Sequence, residues 1–176
     1  MKTLVELFKT GLYDTDKGSD HNYLMDYDKL FYPYRDRKIN VFEVGFYHGG
    51  SCKLWEDYFT NAKIKFIDCN TDCILNSTSG RVSLDIVDSM TLTSNYFKHF
   101  PPDIAIDDSF HSLESQLHFI QVVYPALRPC GLLIVEDIIS LETYKPAFDA
   151  LNIPYEIIDR RIEQNRTDEV LLIFRK

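Results

Sequence analysis

The sequence predicts an α/β fold, a doubly wound, mostly parallel seven-stranded sheet that closes on a C-terminal antiparallel hairpin. Three observations carry this. From Ile39 onward, short β-rich runs alternate with helical ones, the pattern of βαβ crossovers over a sheet covered on both faces. The first such run enters a glycine-bearing loop, Gly45-Phe-Tyr-His-Gly-Gly-Ser51, which opens a helix. The last two runs are separated by Asp159 to Glu169, a polar connection without helical periodicity, which favours a hairpin.

Taken in order, Met1 to Thr10 reads as a short amphipathic helix with Leu4, Leu7 and Phe8 on one face. Gly11 to Asp20 is polar and turn-rich. His21, Tyr23, Leu24, Tyr27, Leu30 and Phe31 then recur at helical spacing until Pro33 stops them. This segment, residues 1–38, is expected either to pack on the core or to form a lid at the sheet edge. Residues 39–176 form the core. Its strands are expected at Ile39–Val44, Ile64–Ile67, Arg81–Leu84, Ile104–Ile106, Leu132–Val135, Tyr155–Ile158 and Val170–Phe174. Helices are expected at Gly50–Tyr58, Leu92–Lys98, Leu113–Leu127 and Thr143–Leu151. Only Cys69 to Gly80 joins the second and third strands, so that crossover helix is short or absent.

Length and composition fit one soluble domain: 176 residues, 45% hydrophobic and 26% charged. A formal net charge of -8 argues against nucleic acid as partner, which needs basic patches, and suits a cationic ligand or a divalent metal. No apolar run approaches the ~18 residues of a membrane span. Glu6 and Lys9 interrupt any signal-peptide core, so a cytoplasmic location is expected. Cys52, Cys69, Cys73 and Cys130 form no CxxC pair, and buried thiols are the plain expectation. The aromatic-rich N-terminal end suggests self-association as a homodimer.

Ligands of open α/β sheets bind beyond the carboxyl ends of the strands. Each of the five central runs ends in acid: Glu43, Asp68, Asp85, Asp107-Asp108 and Glu136-Asp137. The glycine loop lets backbone approach a ligand, and a helix N-terminus favours anionic groups. Its spacing is not G-x-G-x-x-G, and Glu43 suits a cofactor with a cationic amino acid tail better than a pyrophosphate. Asp68 stands where a carboxylate accepts ribose hydroxyls. Neighbouring fourth and fifth strands would bring Asp108, Glu136 and Asp137 to one rim, where oxygen ligation suits Mg²⁺. The bland alternative has Asp107 and Asp108 capping the next helix while Glu136 faces solvent. His111, three residues past Asp108, is a packing residue or, beside a metal, a general base. His48 either touches the cofactor or caps the loop.

Thr15-Asp-Lys, His21-x-Tyr23-x-x-x-Tyr27, Phe42-Glu-Val-Gly-x-x-x-Gly-Gly-Ser51 with Trp55, Ile67-Asp68, Asp107-Asp-x-x-His111 and Arg128-Pro-x-Gly-Leu-Leu-x-x-Glu-Asp137 occur in this order. Together they resemble the Rossmann-like class I S-adenosylmethionine-dependent methyltransferases, nearest the macrocin-O-methyltransferase-like group with its cephalosporin-hydroxylase-like relatives. The resemblance implies that Glu43, Gly45, Gly50 and Ser51 surround the methionine moiety, that Asp68 holds the ribose and that Asp85 lies near the adenine. It implies Asp108, Glu136 and Asp137 as magnesium ligands, with Asp108 and His111 catalytic and His111 the base. The implied reaction is O-methyl transfer to a small-molecule acceptor, a sugar or related polyol. Where that family usually has Asp-Asp-Gly-Ser-His, this chain has Ser109 and Phe110. It is also expected to lack the extra N-terminal domain of its sugar-modifying relatives. A catalytically degenerate cofactor-binding module is the second reading. A hydrolase ranks last, because neither a Gly-x-Ser-x-Gly elbow nor a Walker A loop is present.

Overall fold

A computed structural model describes residues 2–77 and 79–176. Seven strands, β1 (Asn40–Val44), β2 (Lys63–Asp68), β3 (Val82–Ile86), β4 (Ile104–Asp107), β5 (Leu132–Val135), β6 (Tyr155–Asp159) and β7 (Val170–Arg175), form one sheet. Its order is β3-β2-β1-β4-β5-β7-β6. The first five strands pair in parallel, while β7 is antiparallel to both β5 and β6. Strand order reverses between β1 and β4, and such a switch point opens a crevice beyond the carboxyl ends.

Two apolar layers cover the sheet, and side-chain alternation along each strand decides which residue meets which. Val41, Ile106 and Ile134 face α1 (Leu4–Phe8), α2 (Leu24–Phe31) and α3 (Gly50–Tyr58), a layer built around Tyr27, Phe31, Trp55 and Phe59. Phe42, Ala105, Leu133 and Val135 face the other layer, which holds α4 (Leu113–Val123) and α5 (Leu141–Asp149). Thr3 and Glu6 start α1 with a reciprocal capping box. The N-terminal segment thus packs as part of the core, with Leu4, Tyr27 and Phe31 fully buried.

Several boundaries differ from expectation for local reasons. In place of the helix expected at Leu92–Lys98 stand two 3-10 turns, Ser94–His99 overlapping it and Ser89–Thr91 just before it, the latter capped by Asp88 through the Met90 amide. Helix α4 ends at Val123, since Pro125 follows and a 3-10 turn takes over. The hairpin connection holds a four-residue helix, α6 (Arg161–Gln164), closed by Asn165 in left-handed conformation. Among the described residues no helix lies between β2 and β3. That leaves Cys69 exposed and Cys73 half-buried; Cys130 is exposed in a turn, so only Cys52 is a buried thiol. No helix among the described residues is long and apolar enough to cross a membrane.

Candidate active site

Gly45 leaves β1 with φ +94°, and a Cβ there would lie 1.9 Å from the Asp108 carbonyl oxygen. The β1 and β4 exits therefore touch backbone to backbone, which only glycine permits. At Gly50 a Cβ would lie 1.6 Å from the carbonyl oxygen of Asp14, so the N-terminal strap crosses directly over the start of α3. Gly50→Ala should lower stability by about 1–3 kcal/mol, as expected for an overpacked site. An unchanged urea midpoint would mean that the strap is free to lift.

Two cavities open along this edge. The larger, about 570 Å³, is lined by Val44, Asp68, Val87, Met90, Ser109 and Phe110, among others. The second, about 540 Å³, is lined by Asp14, Thr15, Asp20, Ser51, His48 and His111, among others. Gly45, Tyr47, Asp108 and Ser109 belong to both and form the wall between them.

The predicted residues divide between surface and interior. Asp108, His111 and Asp137 offer ligand atoms that all lie within 4.8 Å of one another. His111 Nε2 lies 3.6 Å from Asp137 Oδ2 and 4.0 Å from Asp108 Oδ1, beyond hydrogen-bond reach. His111 and Asp137 adopt φ +53° and +55°. Non-glycine residues hold that backbone only where their surroundings over-determine it, commonly at functional sites. The helix cap after β4 is Ser112, which accepts the Ser115 amide, so Asp107 and Asp108 do not cap α4.

Glu136 is not part of the His111 group but meets Asp108 from the interior, through Lys17. It is buried on the α2–α3 face, where the Tyr27 hydroxyl donates to it and Lys17 Nζ lies 2.8 Å away. The same ammonium donates to Asp108 and stands 3.7 Å from Glu43 Oε1, while Trp55 Nε1 donates to Glu43 Oε2. Glu43 thus lies beneath the glycine loop and lines neither cavity. Burial pushes its carboxyl up to about 7, against the pull of Lys17. Burial would likewise push Lys17 down, but Asp108, Glu136 and Glu43 outweigh it and hold the ammonium well above its ordinary value. Asp107 faces the opposite layer. The Ser109 hydroxyl donates to it over 2.6 Å, and burial pushes its carboxyl up to about 7.

Asp68 reaches the larger cavity but also fixes the loop, accepting the amides of Phe46 (2.8 Å), Tyr47 (3.0 Å) and Asn70 (2.8 Å). Burial raises its carboxyl, yet those three amides prevail and hold it below the ordinary value. Asp85 is occupied by Lys65 and Tyr96 and lines neither cavity; Val87, Asp88, Ser89 and Met90 stand there instead. Gly50 and Ser51 line the second cavity, as does His48.

Lys17, His21 and Tyr23 stood in the sequence only as motif members, and their role of locking the strap down was not read from it. Besides Lys17, Tyr23 donates to Asp137 Oδ1 (2.7 Å), and His21 Nδ1 sits 2.9 Å from Glu169 Oε2. Their signal was the motif pair Thr15-Asp-Lys and His21-x-Tyr23-x-x-x-Tyr27, of which the second reads as helix packing when its aromatic members are counted.

No family profile matches the chain. Over 150 residues it is 30% identical to demethylmacrocin O-methyltransferase of Streptomyces fradiae, a match covering 79% of this chain and 37% of that one. It is 29% identical over 153 residues to 8-demethyl-8-alpha-L-rhamnosyl tetracenomycin-C 2'-O-methyltransferase of Streptomyces olivaceus, covering 77% and 38%. The chain therefore spans less than two fifths of the length of these curated relatives. The structure of MycE methyltransferase, from the mycinamycin biosynthetic pathway and in complex with Mg, SAH and mycinamycin VI, superposes with TM-score 0.75 at 20% identity. That superposition covers 99% of this chain and 54% of MycE.

In class, this is a methyltransferase-type Rossmann-like domain, with the strand order and C-terminal hairpin described above. Within that class the chain is related to the macrocin and mycinamicin sugar O-methyltransferases.

Proposed function

We propose that this chain carries S-adenosylmethionine-dependent O-methyl transfer to a hydroxyl of a sugar or related small molecule, assisted by magnesium. The observation that carries the reading is the convergence of Asp108, His111 and Asp137 beside the wall between two cavities. The sugar O-methyltransferase relatives support it.

The donor set fits a hard divalent cation. Asp108 and Asp137 offer oxygens, and the single ammonium of Lys17 leaves the three acids around it in excess. Asp108 and Asp137 would hold the ion, with Glu136 behind them as a third ligand only where Lys17 releases it. When bound, S-adenosylmethionine supplies a sulfonium methyl, and magnesium a Lewis acid that makes an acceptor hydroxyl more acidic. His111 Nε2, free of a hydrogen-bonded partner, takes the acceptor proton. Asp108 and Asp137 stabilise the imidazolium that results. Ser51 and the start of α3 receive the methionine carboxylate, and Asp68 the ribose. The acidic strap, Asp14 to Asp20, excludes water from the reacting end and suits the cationic methionine ammonium.

Calorimetry with S-adenosylhomocysteine, with and without Mg²⁺, tests this. Binding is expected in both cases, with a separate Mg²⁺ isotherm that Asp137→Asn abolishes. Cofactor binding with no Mg²⁺ isotherm would favour the degenerate module, and no cofactor binding would end both readings.

A further inference from the structure

Phe110 is 84% exposed, yet it lines the larger cavity together with Tyr47, Val87 and Met90. A large aromatic ring left in water beside a catalytic loop is what a flat apolar ligand would cover. Three successive residues of that loop go three ways. Ser109 turns its hydroxyl inward to Asp107. Phe110 lines the larger cavity, and His111 lines the second one, its imidazole beside Asp108 and Asp137. His111 itself stands in left-handed backbone. The aromatic ring is thus absent from the reacting end and present over the chamber floored by the exits of β2 and β3.

We infer that Phe110 is the stacking platform for the adenine of the cofactor. The inference rests on the cofactor reading above. Adenine suits this chamber for two reasons. Its planar face matches the ring of Phe110, with Val87 and Met90 also on the lining, and Asp88 and Ser89 offer polar partners for its edge. The ribose carboxylate, Asp68, lines the same chamber. Stacking of a base on an aromatic side chain needs only its π-face, which the exposed ring of Phe110 supplies.

Two variants test the assignment. Phe110→Ser is expected to weaken S-adenosylhomocysteine binding about tenfold, the lower range for loss of one base–aromatic stack. Its unliganded melting temperature is expected to stay unchanged, since the ring makes no core contact. Phe110→Trp adds a second tryptophan to the chain's single Trp55, and its emission should quench on adding adenosine, which carries the base without the methionine tail. Wild-type affinity in Phe110→Ser, or adenosine bound to Phe110→Trp without quenching, would overturn the platform while leaving the cofactor reading intact. Failure of the wild type to bind S-adenosylhomocysteine would remove both.

Discussion

Replacing His111 with alanine should reduce methyl transfer by a factor of roughly 10²–10⁴, the range for loss of a general base, while S-adenosylhomocysteine still binds. The geometry separates the two effects. His111 Nε2 lies 3.6 Å from Asp137 and 4.0 Å from Asp108, close enough for their charge to stabilise an imidazolium. It is too far to be spent on a hydrogen bond with either. The imidazole lines the second cavity, whereas the larger cavity is lined without it. Backbone strain is the obvious confounder, because His111 sits at φ +53°. Asparagine tolerates that conformation better than alanine, so His111→Asn keeps the loop but removes the base. Both variants should be equally slow. If His111→Asn turns over like the wild type, the imidazole is a loop residue and proton removal belongs elsewhere.

Much of this architecture was legible because it depends on local pattern. The glycine loop, α3 and the β5 run follow from short-range punctuation, and Gly50–Tyr58 and Leu132–Val135 occur as the residues suggest. What was not legible is pairing across long separations. Lys17 meets Asp108 and Glu136 over 91 and 119 residues. In sequence it looks like one more solvated charge in a polar stretch, yet it is fully buried. The orientation of Glu136 is an intermediate case. Strand alternation puts it on the same face as Ile134, and Glu43 on the same face as Val41, toward Trp55 and Tyr27. Counting acids at strand ends ignored that alternation, and so grouped Glu136 with Asp137 when the two turn apart. The outcome at Ser109-Phe110 was hidden for another reason. Whether losing a glycine disrupts a loop depends on what the new side chains find, and Ser109 finds Asp107.

Lys17→Met should cost about 3–5 kcal/mol, the penalty for breaking a buried ion pair from one side. In a domain of this size that corresponds to a fall in melting temperature of about 10 °C. The loss has two parts. Asp108, Glu136 and Glu43 would share a buried space with no cation, so protons must replace the ammonium. The strap would also lose its anchor between Thr15 and His21. A double variant distinguishes them. Adding Glu136→Gln removes one orphaned charge at nearly constant shape, and it should restore a large part of the stability if charge dominates. If unpinning of the strap dominates, the two losses should simply add. Divalent cation supplies the decisive comparison. With Lys17 gone, Asp108 and Glu136 are both released toward the ion, so Mg²⁺ should raise the melting temperature of Lys17→Met more than that of the wild type. Equal shifts would mean that ammonium and metal do not draw on the same carboxylates, and that Lys17 holds the strap without tuning the site.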